Sequence, residues 1–178
     1  KRRETIESIG CFKGIEEVIP EELSDCKINN EVFDAGYSLS LEDIVFILKY
    51  FWKFVLSPFF VLKCILKISA YSTIVKRYCP QTIFVHNEYS YTSSVLTLYC
   101  NCHGVQHVNI MHGEKGFFIR DSFFRFDKCY VWDQYYVDLF LKLRVAPEQF
   151  IIAIPPSLKI CDNKYDEQKY YADFKYYL

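Results

Sequence analysis

Residues 81–113 read QTIFVHNEYSYTSSVLTLYCNCHGVQHVNIMHG, and this stretch decides the fold. Thr82 to His86 is a short, β-rich apolar run without polar alternation, as in a strand buried on both faces of a parallel sheet. Asn87 to Ser90 serves as its exit loop, Tyr91 to Cys102 has the length of a helix, and Gly104 is placed to end it. Gln106 to Met111 is a second such strand, with His112-Gly113 left at its carboxyl end. Downstream, residues 113–127 form a loop and Lys128 to Trp132 a third strand. Asp133 caps a helix reaching Leu143, and Phe150 to Ile154 is a fourth strand that Pro155-Pro156-Ser157 stops. Residues 164–178 are polar and tyrosine-rich. The alternation predicts an α/β, Rossmann-like domain with a parallel sheet of four or more strands flanked by helices.

Upstream, Ser40 is a good N-cap followed by acids in the first turn, and Ser57-Pro58 opens a second helical stretch. Residues 41–78 therefore read as two helices or one kinked helix, residues 81–158 as the βαβ core, and residues 41–178 together as the Rossmann-like domain. Residues 1–40, acidic and punctuated by Pro20, Asn29-Asn30 and Gly36, are set apart as an irregular segment holding short strands and connections.

Composition narrows the function classes. The 178 residues suit one domain, and 51% hydrophobic with 24% charged residues excludes disorder and fibrous repeats. Lys+Arg 21 against Asp+Glu 22 leaves a net charge of -1, so no global basic field draws the chain to nucleic acid. Eight cysteines lie scattered, several within apolar runs, and KRRETIESIG lacks the apolar core of a signal peptide. Reduced thiols in a cytoplasmic protein are the expectation. Cys100, Cys102, His103 and His107 lack the second separated pair of a zinc site, so no metal is expected.

The helical stretch carries a distinct charge pattern. No acidic residue occurs from Ile44 to Asn87, while Lys49, Lys53, Lys63 and Lys67 fall near one direction of an ideal helix. Lysines interrupt every window long enough to span a membrane, and Pro58 sits mid-way, so spanning is not expected. Two readings stay open: a solvated lysine edge on core helices, or a basic–aromatic surface facing an anionic membrane.

Ligands of open parallel sheets bind outside the carboxyl ends of the strands. That rule selects Asn87-Glu88, then His112-Gly113-Glu114-Lys115-Gly116, then Ser157 after the prolines. His112 is suited to proton transfer and Glu88 to act as a carboxylate base or to orient a hydroxyl. Gly113 and Gly116 would let backbone approach a ligand, and Lys115 would meet a phosphate or carboxylate. His86 and His107 fall inside strands, where packed imidazoles are expected. No dinucleotide fingerprint, phosphate loop or nucleophile elbow occurs.

The run from Gln81 to Leu158, with IFVHNEYS, GVQHVNIMHGEKG and DKCYVWDQYYVDLFLKLRVAPEQFIIAIPPSL, resembles the amino-terminal domain of GT-B-fold glycosyltransferases. The likeness is to bacterial enzymes of surface-polysaccharide and teichoic-acid assembly, with Asp133 and Arg144 standing where glycine is commoner. The resemblance implies an acceptor-binding domain for a glycan or lipid-linked acceptor, with His112 as base. The nucleotide-sugar donor would then be held by a second Rossmann domain or partner chain, with no cofactor in this one, at the inner face of the membrane. The alternative is a non-catalytic Rossmann-like module using the same cleft for a sugar or protein partner.

Overall fold

The computed structural model describes residues 7–11, 18–29, 36–54, 56–86, 92–119 and 124–156. Within them, the apolar runs lie side by side as β3 (Thr82–Val85), β4 (Gln106–Ile110), β5 (Lys128–Val131) and β6 (Phe150–Ile152). Two very short strands, β1 (Ser8–Gly10) and β2 (Ile28–Asn29), complete a six-stranded sheet in the order β2-β1-β3-β4-β5-β6, with every pair parallel. The α/β Rossmann-like fold is thus present. The boundary at residue 40 is corrected, because β1 pairs directly with β3 and belongs to the same sheet.

Among the described residues, four complete α-helices flank this sheet: α1 (Leu41–Phe51), α2 (Pro58–Tyr78), α3 (Ser93–Cys102) and α4 (Gln134–Lys142). Ser40 forms a reciprocal capping box with Asp43, and the Asp133 carboxylate accepts from the Tyr136 N–H at 3.2 Å. A 3-10 turn, Trp52–Phe54, follows α1 directly, and α2 opens with Pro58 as its first residue. Arg144, just past α4, has φ +63, a left-handed conformation that costs a non-glycine residue roughly 1–2 kcal/mol. That geometry explains why glycine suits the position.

Strand alternation sorts the core into two layers. Ile83, Val85, Cys129 and Val131 face the main cluster under the helices, while Phe84, Val108, Ile110 and Tyr130 face Val18, Ile19, Leu23 and Ile28 on the opposite side. His107 and Asn109 of β4 are fully buried polar groups. His107 is the packed imidazole expected of its strand. Its Nε2 lies 3.0 Å from the Tyr71 hydroxyl and its Nδ1 2.7 Å from Thr97 Oγ1. Thr97 has one proton and also faces the Arg125 carbonyl at 2.6 Å. With that proton given to the carbonyl, Nδ1–H donates to Thr97 and Nε2 accepts from Tyr71.

Burial keeps His107 uncharged, lowering its pKa from 6.5 to about 3. An unfolded chain takes up this proton near pH 6.5 and the native chain only near 3, so stability falls as pH drops between those values. The expected loss is about 2–3 kcal/mol from pH 6.5 to about 4.5, read from urea unfolding curves. His107→Leu should lack this slope whatever its own stability. An unchanged slope in that variant would assign the effect to other groups.

Candidate functional site

Because β3 and β4 are hydrogen-bonded neighbours, with Val85 opposite Asn109, the residues leaving their carboxyl ends emerge side by side. His86 is the first residue past β3 and His112 the second past β4. Their rings meet with centroids 4.4 Å apart and planes inclined by 35°. His112 is exposed and His86 half-buried, so the pair is open to solvent on one side. The expectation that His86 is packed within its strand is corrected. The ladder ends at Val85, which frees the next side chain to turn toward β4's exit.

The neighbouring strand holds this exit in place. The Met111 N–H donates to the Tyr130 carbonyl at 3.0 Å, and the Trp132 indole N–H donates to the Met111 carbonyl at 3.2 Å. His112 therefore leaves a backbone pinned on both sides of its preceding residue. One strand away lies the point where strand order reverses, between β1 and β3, the usual ligand crevice of such sheets. Cys11 exits β1 there, its N–H donating to the Phe84 carbonyl at 2.9 Å.

The other expected site residues divide. Gly113 faces open space, since a Cβ added there would meet nothing within 4 Å. Gly116 packs closely against its own loop. Its missing Cβ leaves room for the Phe118 ring, which a Cβ would meet at 2.7 Å. Lys115 is only 5% exposed and engaged within the fold, so it is a buried lysine and not a freely presented cation. Glu114 is exposed, and its charge is felt at Tyr136 of α4. There, burial first, and then the Glu114 and Asp133 charges, push the Tyr136 hydroxyl up from its ordinary value. Asn87, Glu88 and Ser157 lie outside the described residues, so the pairing of Glu88 with His112 does too.

A cleft of about 260 Å³ opens at the opposite, amino edge of the sheet, between α3 and the residues preceding β5 and β6. Its polar groups largely bond one another. Arg125 pairs with Glu148 at 3.0 Å, Asn101 donates to Asp127 at 3.0 Å, and Gln149 accepts from the Phe126 N–H at 2.9 Å. Among the described residues no three His, Cys, Asp or Glu side chains converge as metal ligands. Cys100 is buried, and His103 Nδ1 lies 2.9 Å from the Tyr99 carbonyl. The seven described cysteines are all free thiols.

Of the chemistry-bearing residues, sequence reasoning missed His86. Its only signal was its place as the last letter of an apolar run. Compared with known proteins, the chain matches no family model, no curated protein and no solved structure.

Proposed function

We propose that this chain is the acceptor-binding half of a glycosyltransferase-like protein, and that glycan hydroxyls bind at the carboxyl edge of β3 and β4. The observation that carries the reading is the His86–His112 pair, two imidazoles in tilted contact at the mouth of adjacent parallel strands. One ring can take a proton from a bound hydroxyl while the other holds its partner's orientation. Beyond Gly116 the exposed Phe117 and Phe118 supply an apolar rim, the kind of surface that fixes a ligand beside a few polar groups. The nucleotide-sugar donor would belong to a second Rossmann domain or partner chain.

The test uses the histidine ring protons. The chain has four histidines, of which His107 is fully buried and His103 capped by Tyr99. Titration with bacterial surface oligosaccharides should move the His86 and His112 resonances and leave the other two in place. Full-length protein should then release nucleotide from a sugar donor in an acceptor-dependent way. A nucleotide that moves both resonances without glycan would make this the donor side. Glycan binding without donor use by the full-length protein would make it a binding module.

A further inference from the structure

The α1–α2 hairpin is apolar on its outer face as well as its inner one. Asp43, Phe46 and Phe51 of α1 are buried, yet Leu41, Ile44, Val45 and Leu48 are exposed and fall within roughly 100° of arc on an ideal helix. On α2, Phe59, Leu62 and Leu66 form the same kind of stripe, from 53% to 87% exposed. Lys49 flanks the first stripe, and Lys63 and Lys67 flank the second, all three exposed. A helix apolar on every side belongs in a core or in lipid. Half of this one is already in the core.

The hairpin's direction follows from its contacts. Asp43 bonds Ser72 and Lys76 near the end of α2, while Phe60 at its start meets the rings of Phe51 and Phe54 at 6.0 and 5.4 Å. The helices are therefore antiparallel, with Trp52 to Phe59 at the tip. Tyr71 touches His107 near the start of β4. One turn earlier, the Lys67 charge acts on Cys11 at the exit of β1, opposing the burial that pushes that thiol up to about 12. So α2 runs against the strands, and its first turns lie past their carboxyl edge. At about 31 Å it is more than twice the length of a four-residue strand. The tip carries Trp52, Leu56 and Phe59 at 66%, 92% and 87% exposure, with Lys53 over the Trp52 ring at 5.4 Å.

We infer that this hairpin tip is a membrane anchor, seating Trp52, Leu56 and Phe59 in the interface of an anionic bilayer with Lys49, Lys53, Lys63 and Lys67 against the headgroups. Charge selects this occupant. A second copy docked through the same patch would bring lysines against lysines, because a two-fold interface pairs a surface with itself. An anionic lipid surface matches both components, apolar residues for the acyl boundary and cations for the phosphates. The inference does not rest on the glycosyltransferase reading. It places the His86–His112 edge on the membrane side of the protein.

The test is sedimentation of the chain with phosphatidylcholine vesicles, with and without phosphatidylglycerol, at low and high salt. Binding is expected to the anionic vesicles and to fade with salt. Lysine contributes about five-fold apiece at such a surface, so changing Lys49, Lys53, Lys63 and Lys67 to Gln should lower partitioning by a few hundred-fold. Leu56→Ser with Phe59→Ser should lower it about ten-fold or more per residue. Both variants alter exposed side chains, and circular dichroism should read them as folded. Trp52 emission should shift to the blue on binding and be quenched by acyl-brominated lipid, a response that Trp52→Phe abolishes although Trp132 remains. Equal binding to neutral vesicles, no lipid binding, or a dimer that Leu56→Ser/Phe59→Ser dissolves without lipid binding would each overturn the inference.

Discussion

Asp43→Ala should cost the fold about 3–5 kcal/mol, the scale seen when one partner of a buried charge network is removed. The side chain has no solvent exposure and ties three helices together. Its Oδ2 accepts from the Ser40 N–H, the Ser72 hydroxyl and Lys76 Nζ, each at 2.7 Å, and its Oδ1 accepts from the Tyr99 hydroxyl at 2.7 Å. Burial alone would raise this carboxyl. The hydrogen bonds from Lys76, the Ser40 backbone, Tyr99 and Ser72 outweigh it and hold the group far below its ordinary value. Truncation leaves the Tyr99 and Ser72 hydroxyls facing a void, at about 1–3 kcal/mol for each unsatisfied group. Ser72 can recover part of that by bonding a carbonyl one turn back along its helix. Lys76 is 31% exposed and can swing into water once Asp43 is gone. Lys76→Gln instead leaves the buried Asp43 carboxylate with neutral donors alone, so that variant should also cost about 2–3 kcal/mol. Because the native carboxyl is depressed, its contribution is complete above pH 4 or so and lost as pH falls below that. That window separates it from the His107 effect, which begins near pH 6.5. Urea unfolding at neutral pH measures the ordering of the two variants. A loss of under about 1 kcal/mol for Asp43→Ala would mean the network is bridged by water or repacks.

The legible parts of the fold are those with a local cause. TIFV, QHVNI and KCYV are short runs rich in apolar and β-forming residues, and each is a strand, shortened by one residue at its carboxyl end. Ser40 and Asp133 are caps because their side chains bond amides only three residues on. Strands β1 and β2 carry no such signal. SIG and IN are three and two residues long, and they exist because β3 offers a free edge for Ser8 to Gly10 to pair with. Asp43 was visible as a first-turn acid. Its burial was not, since its partners Ser72 and Tyr99 lie 29 and 56 residues away. The same holds for the site. His112 was legible from the strand-exit rule, whereas His86 depends on which strand lies next to which and on where the ladder stops. The close approach of the Phe118 ring to Gly116 likewise depends on how the loop folds back and carries no sequence signal. In the hairpin, the lysine stripe could be read from helical spacing. Which apolar face stays exposed is decided by tertiary packing.

On the proposed transferase reading, substituting His112 by alanine should lower the turnover of the full-length protein by about 10²–10⁴-fold, the usual contribution of a general base. Stability should hold, because the side chain is exposed and the backbone before it is fixed by Tyr130 and Trp132 rather than by the imidazole. His86→Phe keeps an aromatic ring beside His112 but removes the proton-carrying nitrogens, so it separates orientation from proton transfer. If His86 acts only by holding the His112 ring, the Phe variant should retain most activity and His86→Ala should lose it. If the proton passes through both rings, the two His86 variants should be equally impaired, with the rate profile against pH altered in each. A His112→Ala protein with full turnover would remove the base from this residue. Loss confined to the His86 variants would move it one strand over. The packing of β3 against β4 makes either assignment geometrically available, since both imidazoles open onto the same edge.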